Sequence, residues 1–272
     1  MSIGSLFDEF SNLIGKKKIE EQKESIFTMG FLNLFWVVLA FAGIAIFVPG
    51  SFRFSSASLP FFIPRLIFEI AQAVITVKAI AVATRSTFSF IRSLTIPLLL
   101  GVDVFLGYAL SLPQIVGIAL IAITLVLLFA NYRAEQKGSG YVLFTAINAV
   151  ATISLYKYNI THFNSVIAEQ LIVMVVLLIF FFLGAYLFAR ENPMYFLKKP
   201  IFLVQSLGTG VAVAVESYAF VFAPASIITA AKRGSAILWA VLSGNLYFRE
   251  KHFKMKLFGF AMLTLGIVLL AL

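Results

Sequence analysis

The stretch Leu171-Ile-Val-Met-Val-Val-Leu-Leu-Ile-Phe-Phe-Phe-Leu183 is apolar at every one of its positions. A half-buried strand alternates apolar and polar residues, and a helix on a soluble protein keeps a polar face. This stretch does neither. With its flanks it runs from Ser165 to Ala189, beyond the roughly 20 residues that carry a helix across a bilayer. The rest of the chain follows it: 61% of the 272 residues are hydrophobic, 12% are charged, and mean hydropathy is +1.00. Soluble domains run at about 45–50% apolar and about 25% charged. So few charges cannot cover a water-facing surface, which excludes a soluble enzyme, a disordered protein and a coiled coil. A transmembrane barrel would show alternation instead. The sequence reads as an all-α, polytopic membrane protein.

Breaks of Pro, Gly, Ser and charge divide the chain into nine expected spans. They are Ile26–Val48, Phe61–Thr84, Ser86–Ala109, Pro113–Asn131, Gly140–Tyr158, Ser165–Ala189, Pro200–Phe222, Ala225–Phe248 and Lys256–Leu272. Ahead of them, Ile3–Ile14 predicts a short helix that cannot cross alone, and the polar segment Lys16–Ser25 is expected in water. The N-terminal stretch carries Asp8 and Glu9 in place of a basic start, unlike a signal peptide.

Basic residues set the orientation. Alternate loops hold Lys16, Lys17, Lys18, Lys23, Arg85, Arg133, Lys137, Arg190, Lys198, Lys199, Arg249, Lys251, Lys254 and Lys256. The other loops hold Arg53, Arg65 and Lys157. The first set is expected on the cytoplasmic side. This asymmetry accounts for the formal charge of +9 without a nucleic-acid partner. The absence of cysteine excludes disulfides and thiolate chemistry.

The chain repeats itself. Ala79, Ala83 and Ser86 match Ala219, Ala223 and Ser226 at an offset of 140, and Lys17 and Ser25 run parallel to Lys157 and Ser165. Leu6-Phe7 similarly precedes a long apolar span, as Leu143-Phe144 does. Later, Gly117 and Ala119 match Gly259 and Ala261 at an offset of 142. Residues 1–134 and 135–272 therefore read as two five-helix copies, the first helix of the first copy cut short. Copies separated by an odd number of spans enter the membrane in opposite directions. That predicts an inverted repeat with a substrate site near the midplane.

The ending Ala225-Ser226, then Leu246-Tyr-Phe-Arg-Glu250-Lys, then Gly259-Phe-Ala-Met-Leu resembles the drug/metabolite transporter superfamily, in its EamA-type ten-helix form. Glu250 and Gly259 keep the family's spacing, and Ser93-Leu-Thr-Ile-Pro97 with Gly107-Tyr108 and Gly117 is similar to the same block in the first half. Tyr108 stands where a glutamate is common, and Trp239 stands opposite Pro97. The resemblance implies carriage of a small metabolite, amino acid, nucleotide-linked sugar or drug by alternating access.

Ionisable residues inside spans are costly unless they face a bundle interior or a watery cavity. Here they are Glu69, Lys78, Arg92, Asp103, Glu169, Glu216, Lys232 and Arg233. Lys78 and Arg92 flank one loop at a depth of roughly 9 Å, and Glu216 with Lys232 occupies the matching place in the second half. These four are the expected contacts to an anionic or zwitterionic solute. An ion pair between Glu216 and Lys232 is the plainer alternative. Glu69 and Glu216 are candidate proton carriers. Pro97, expected to kink its span, is a candidate gate, and Tyr218 and Trp239, like Tyr156, are candidate cavity walls. Gly208 and Gly210 fit close helix approach. His162 and His252 are far apart in loops, and no metal, cofactor or nucleophile–base grouping stands out. The expected function is a small-solute exporter of a bacterial or archaeal inner membrane, not an enzyme, with a homodimer as the candidate assembly. A lipid or lipid-linked-sugar flippase of the same fold, or a non-transporting membrane partner, are the alternatives.

Overall fold

The structure is a computed structural model that describes residues 2–20, 24–105, 111–131, 137–222, 224–248 and 253–272. Within these residues the chain forms helices and no strand. The helices are α1 (Ser2–Glu20), α2 (Ile26–Phe47), α3 (Leu59–Val82), α4 (Arg85–Arg92), α5 (Thr95–Phe105) and α6 (Leu112–Asn131). They continue with α7 (Ser139–His162), α8 (Val166–Gly184), the single-turn α9 (Pro193–Phe196), α10 (Pro200–Phe222), α11 (Ala225–Phe248) and α12 (Phe253–Ala271). Five described stretches are long and apolar enough to cross a membrane: Ile26–Phe47, Ser139–His162, Val166–Ala189, Pro200–Phe222 and Ala225–Ser243. This is the composition of an integral membrane bundle.

Local chemistry fixes the helix starts. The Ser25, Thr84 and Ser165 side chains accept hydrogen bonds from the backbone N–H of Thr28, Thr87 and Ala168, satisfying donors that a helix cannot pair internally. Prolines open α9 and α10, where a missing N–H costs nothing. Two caps are also gripped by distant loops. The loop after α8 brings Glu191, whose carboxylate accepts from Ser25 N–H at 3.1 and 3.2 Å and from the Thr28 hydroxyl. The loop after α2 returns the arrangement, with Ser165 Oγ donating to Ser51 O at 2.6 Å and accepting from Arg53 N–H at 3.0 Å.

The observed helices depart from the sequence expectations in four places. First, α1 spans 19 residues, Ser2–Glu20, rather than ending near Ile14, because Lys16, Lys17, Lys18 and Glu20 are good helix formers. Second, the expected span Ser86–Ala109 is broken at Ser93–Leu94. Pro97 does not kink a continuous helix; it lies in the first turn of α5. Having no N–H for the Ser93 carbonyl, and crowding it, Pro97 stops α4 four residues upstream. The Ser93 hydroxyl turns back onto Phe90 O at 2.5 Å, and Ile96 N–H meets Ser93 O at 2.9 Å to start the next helix. Third, Arg65 and Lys157, read as loop residues, lie inside α3 and α7, and Lys256 is buried in α12. Fourth, α8 ends in a π turn, Ala185–Ala189, closed by Arg190 in the left-handed region at φ 56°.

The helices pair across the chain. α6 lies along α12, α2 along α8, α3 along α7 and α1 along α10; α4 and α5 pack on both α7 and α11, and α1 also packs on α11. One apolar core joins Phe90, Ile96, Leu100 and Ile121 to Ile237, Val241 and Leu263. Another joins Met29, Phe31 and Leu32 to Phe181 and Phe202. In the α2–α8 pair two glycines each lie against a phenylalanine ring of the partner helix. A Cβ at Gly30 would stand 2.5 Å from the Phe181 ring, and one at Gly184 would stand 2.3 Å from the Phe27 ring. Gly184→Ala should therefore force the Phe27 ring aside and lower stability by about 1–3 kcal/mol, the usual cost of overpacking. The readout is thermal unfolding in detergent, where a melting temperature equal to the parent's would contradict the interlock.

Candidate functional site

A cavity of about 240 Å³ lies at the centre of the bundle, walled by residues of α2, α3, α4, α7, α8, α10 and α11. Its apolar lining comes from residues such as Leu34, Val173, Met174 and Phe220. Its charges are the cations Arg65, Arg92, Lys232 and Arg233 and the carboxylates Glu69 and Glu216. On α3, Arg65, Glu69 and Gln72 all reach this cavity because the spacing i, i+4, i+7 puts them on one helix face.

Arg65 organises one wall. It is 1% exposed, forms an ion pair with Glu169 of α8, and lies 3.8 Å from Glu69. Its guanidinium sits over the Tyr156 ring, 4.6 Å from the centroid, a favourable cation–π placement when desolvated. The Tyr156 hydroxyl donates to Ser217 O at 3.1 Å, and Gln170 Nε2 donates to Ser217 Oγ at 2.8 Å. The second Glu169 oxygen is held by Asn164 Nδ2 at 3.0 Å. Deeper on the same wall, Asn148 Nδ2 donates to Gln72 Oε1 at 2.8 Å, and Gln72 Nε2 to Thr145 O at 3.2 Å.

The opposite wall carries Glu216 of α10 and Lys232 of α11, which form an ion pair. Beside them Arg233 is 5% exposed, and its Nε has no hydrogen-bond partner among the described residues; the same holds for Arg65 Nε. Buried polar atoms are nearly always paired, so these two guanidinium groups hold spare donor capacity. The cavity thus offers cationic donors beside carboxylates and an aromatic ring.

Of the residues picked out by sequence, Glu69, Arg92, Tyr156, Glu216 and Lys232 line this cavity. Lys78 does not: it is exposed on α3. Tyr218 is 43% exposed, two residues beyond Glu216 and on another face of α10. Pro97 and Trp239 are half-buried in α5 and α11 and are not among the cavity's walls. The Asp103 side chain, Gly107, Tyr108, Glu250 and His252 lie outside the described residues. His162 is exposed, its Nδ1 3.0 Å from Tyr158 O. No grouping of His, Asp and Glu suited to a metal ion occurs among the described residues.

Sequence reasoning passed over Arg65, Gln72 and Gln170, and gave Arg233 and Glu169 no role. The i, i+4, i+7 spacing of Arg65, Glu69 and Gln72 was the available signal. Compared with known proteins, the chain matches no family model and no curated sequence.

The Arg65–Glu169 pair makes a stability prediction. Arg65→Met leaves Glu169 buried without its cation, which should cost about 3–5 kcal/mol, whereas Arg65→Met with Glu169→Met should recover most of that loss. A double-mutant cycle on unfolding in detergent measures it, and additive losses would show that the two side chains do not act as a pair.

Proposed function

We propose that the chain is a membrane transporter of a small anionic or zwitterionic metabolite, built on an EamA-type inverted repeat and working by alternating access. The observation that carries this reading is the charge-lined cavity between the two halves of the chain. Ionisable groups inside a membrane bundle cost too much to be incidental and mark solute or ion pathways. Spare guanidinium donors on Arg65 and Arg233 suit a carboxylate, and Glu69 and Glu216 suit an ammonium group. At about 240 Å³ the cavity falls below the roughly 300–1,000 Å³ of pockets for drug-sized ligands. An amino acid or small organic acid fits that limit.

The helix pairing supports the inverted repeat. Taking α1, α2, α3, α4–α5 and α6 as one copy and α7, α8, α10, α11 and α12 as the other, three self-related pairs appear: α2 with α8, α4–α5 with α11 and α6 with α12. Two further pairs exchange: α3 on α7 corresponds to α1 on α10, and α4–α5 on α7 corresponds to α1 on α11. The gripped caps at Ser25 and Ser165 correspond as well. With α4–α5 counted as one broken span and α9 as part of a loop, this gives nine spans beside α1. Broken helices are a recurrent device at the midplane sites of such proteins.

The test is uptake of radiolabelled amino acids and small carboxylic acids into proteoliposomes. At least one member of the panel should accumulate. Arg233→Gln should weaken its apparent affinity by about 10- to 150-fold, the equivalent of about 1.5–3 kcal/mol for a hydrogen bond to a charged group. A panel with no transported member, and no member raising the melting temperature, would overturn the proposal.

A further inference from the structure

A second group of charges lies behind the large cavity. Helix α1 supplies none of that cavity's described walls. Yet Ser5, Asp8, Glu9 and Asn12 share one face of α1, at the spacing i, i+3, i+4, i+7, and all four line a small chamber between α1, α4 and α11. Across it stand Arg92 of α4 and Arg233 of α11. Both arginines also line the large cavity, so each is shared between the two spaces. At about 10 Å³ the chamber has room for about one water molecule and is no solute site itself.

Polar contacts hold α1 in this place. Ser5 Oγ donates to Lys232 O at 3.1 Å, and Ser243 Oγ donates to Glu9 Oε1 at 2.6 Å. Glu9 is 5% exposed, so its charge sits within the bundle and not in water. Arg233 feels a carboxylate on either side, Glu216 at the large cavity and Asp8 on α1. Its Nε keeps no hydrogen-bond partner among the described residues.

The balance of charge follows. Formally, the large cavity's four cations face three carboxylates: Glu69 and Glu216 among its walls, and Glu169, paired with Arg65. One positive charge is left over, which by itself would draw in any small anion. Asp8 and Glu9 place two negative charges across the small chamber from Arg92 and Arg233, and the surplus changes sign. Charges inside a bundle act over several ångströms with little screening. The α1 pair therefore bears on whatever enters the large cavity without touching it.

We propose that α1 sets the charge class of the solute: Asp8 and Glu9 offset the arginines, so that the cavity takes a zwitterion and turns away a simple anion. This rests on the transport reading above and narrows its solute to an amino acid. The solute carboxylate meets Arg233, with its unused Nε donor, and the ammonium group meets Glu216 on the same wall. An acid of the same skeleton without the ammonium group brings an uncompensated negative charge to a site with a surplus of carboxylates. A zwitterion has no net charge, and its binding depends little on that surplus.

Matched pairs that differ only in the ammonium group test this: leucine with isocaproate, and phenylalanine with hydrocinnamate. Apparent affinities come from the melting temperature of the purified chain in detergent against ligand concentration. The parent should bind each amino acid at least about tenfold more tightly than its partner acid. Asp8→Asn with Glu9→Gln should shrink that ratio by at least about tenfold, chiefly by tightening the acid. Asp8→Glu, which keeps the charge, should keep the ratio. A merely structural role for α1 would weaken both members of a pair alike. Either single neutralisation takes the place of the double variant should that one fail to fold. Equal binding within the pairs by the parent, or a ratio unmoved by neutralisation, overturns the proposal and leaves the transport reading standing. Failure of every pair to stabilise the parent also overturns it, and the wider uptake panel then decides the transport reading by itself.

Discussion

The Arg65–Glu169 ion pair sets the terms for the rest of the bundle. Both side chains are fully buried, and removing two such charges from water costs several kcal/mol per ion unless their remaining hydrogen-bonding capacity is met. The surrounding architecture meets most of it, leaving Arg65 Nε without a partner among the described residues. Asn164 holds the carboxylate, the Tyr156 ring covers the guanidinium, and the tyrosine hydroxyl reaches the backbone of α10 through Ser217. One pair thereby ties α3 to α8, α7 and α10. Because a buried pair is seldom the most stable solution for a core, its presence beside a cavity fits a site where charge is needed.

Small residues and helix breaks complete the arrangement. The α4–α5 break at Ser93–Leu94 ends α4 at Arg92, so that this arginine is presented at the cavity on the last turn of a helix. The interlocked glycines of α2 and α8 bring the two central helices close enough for Leu34 and Val173 to share the cavity wall.

Much of the helical plan was legible. Runs such as Leu171–Leu183 define helices by composition alone, and Ser25, Thr84 and Ser165 stand at their starts. Rotation about the helix axis was not legible. Lys78 and Tyr218 correspond at the 140 offset, and both are exposed rather than facing the cavity. The match between halves was visible, but an almost uniformly apolar helix gives little indication of which side turns inward. Arg65 was hidden for another reason. It lies near a helix start, close to Pro60 and Pro64, where a basic residue reads as part of the preceding loop. Its partner Glu169 is 104 residues away, beyond the reach of any local pattern.

The Phe27–Gly184 and Phe181–Gly30 contacts lie at one end of the α2–α8 pair, each ring seated where its partner has no side chain. Sliding one helix past the other by a single residue, about 1.5 Å, would bring each ring against a side-chain-bearing neighbour of the glycine. That end of the pair is thus keyed against sliding of one helix along the other.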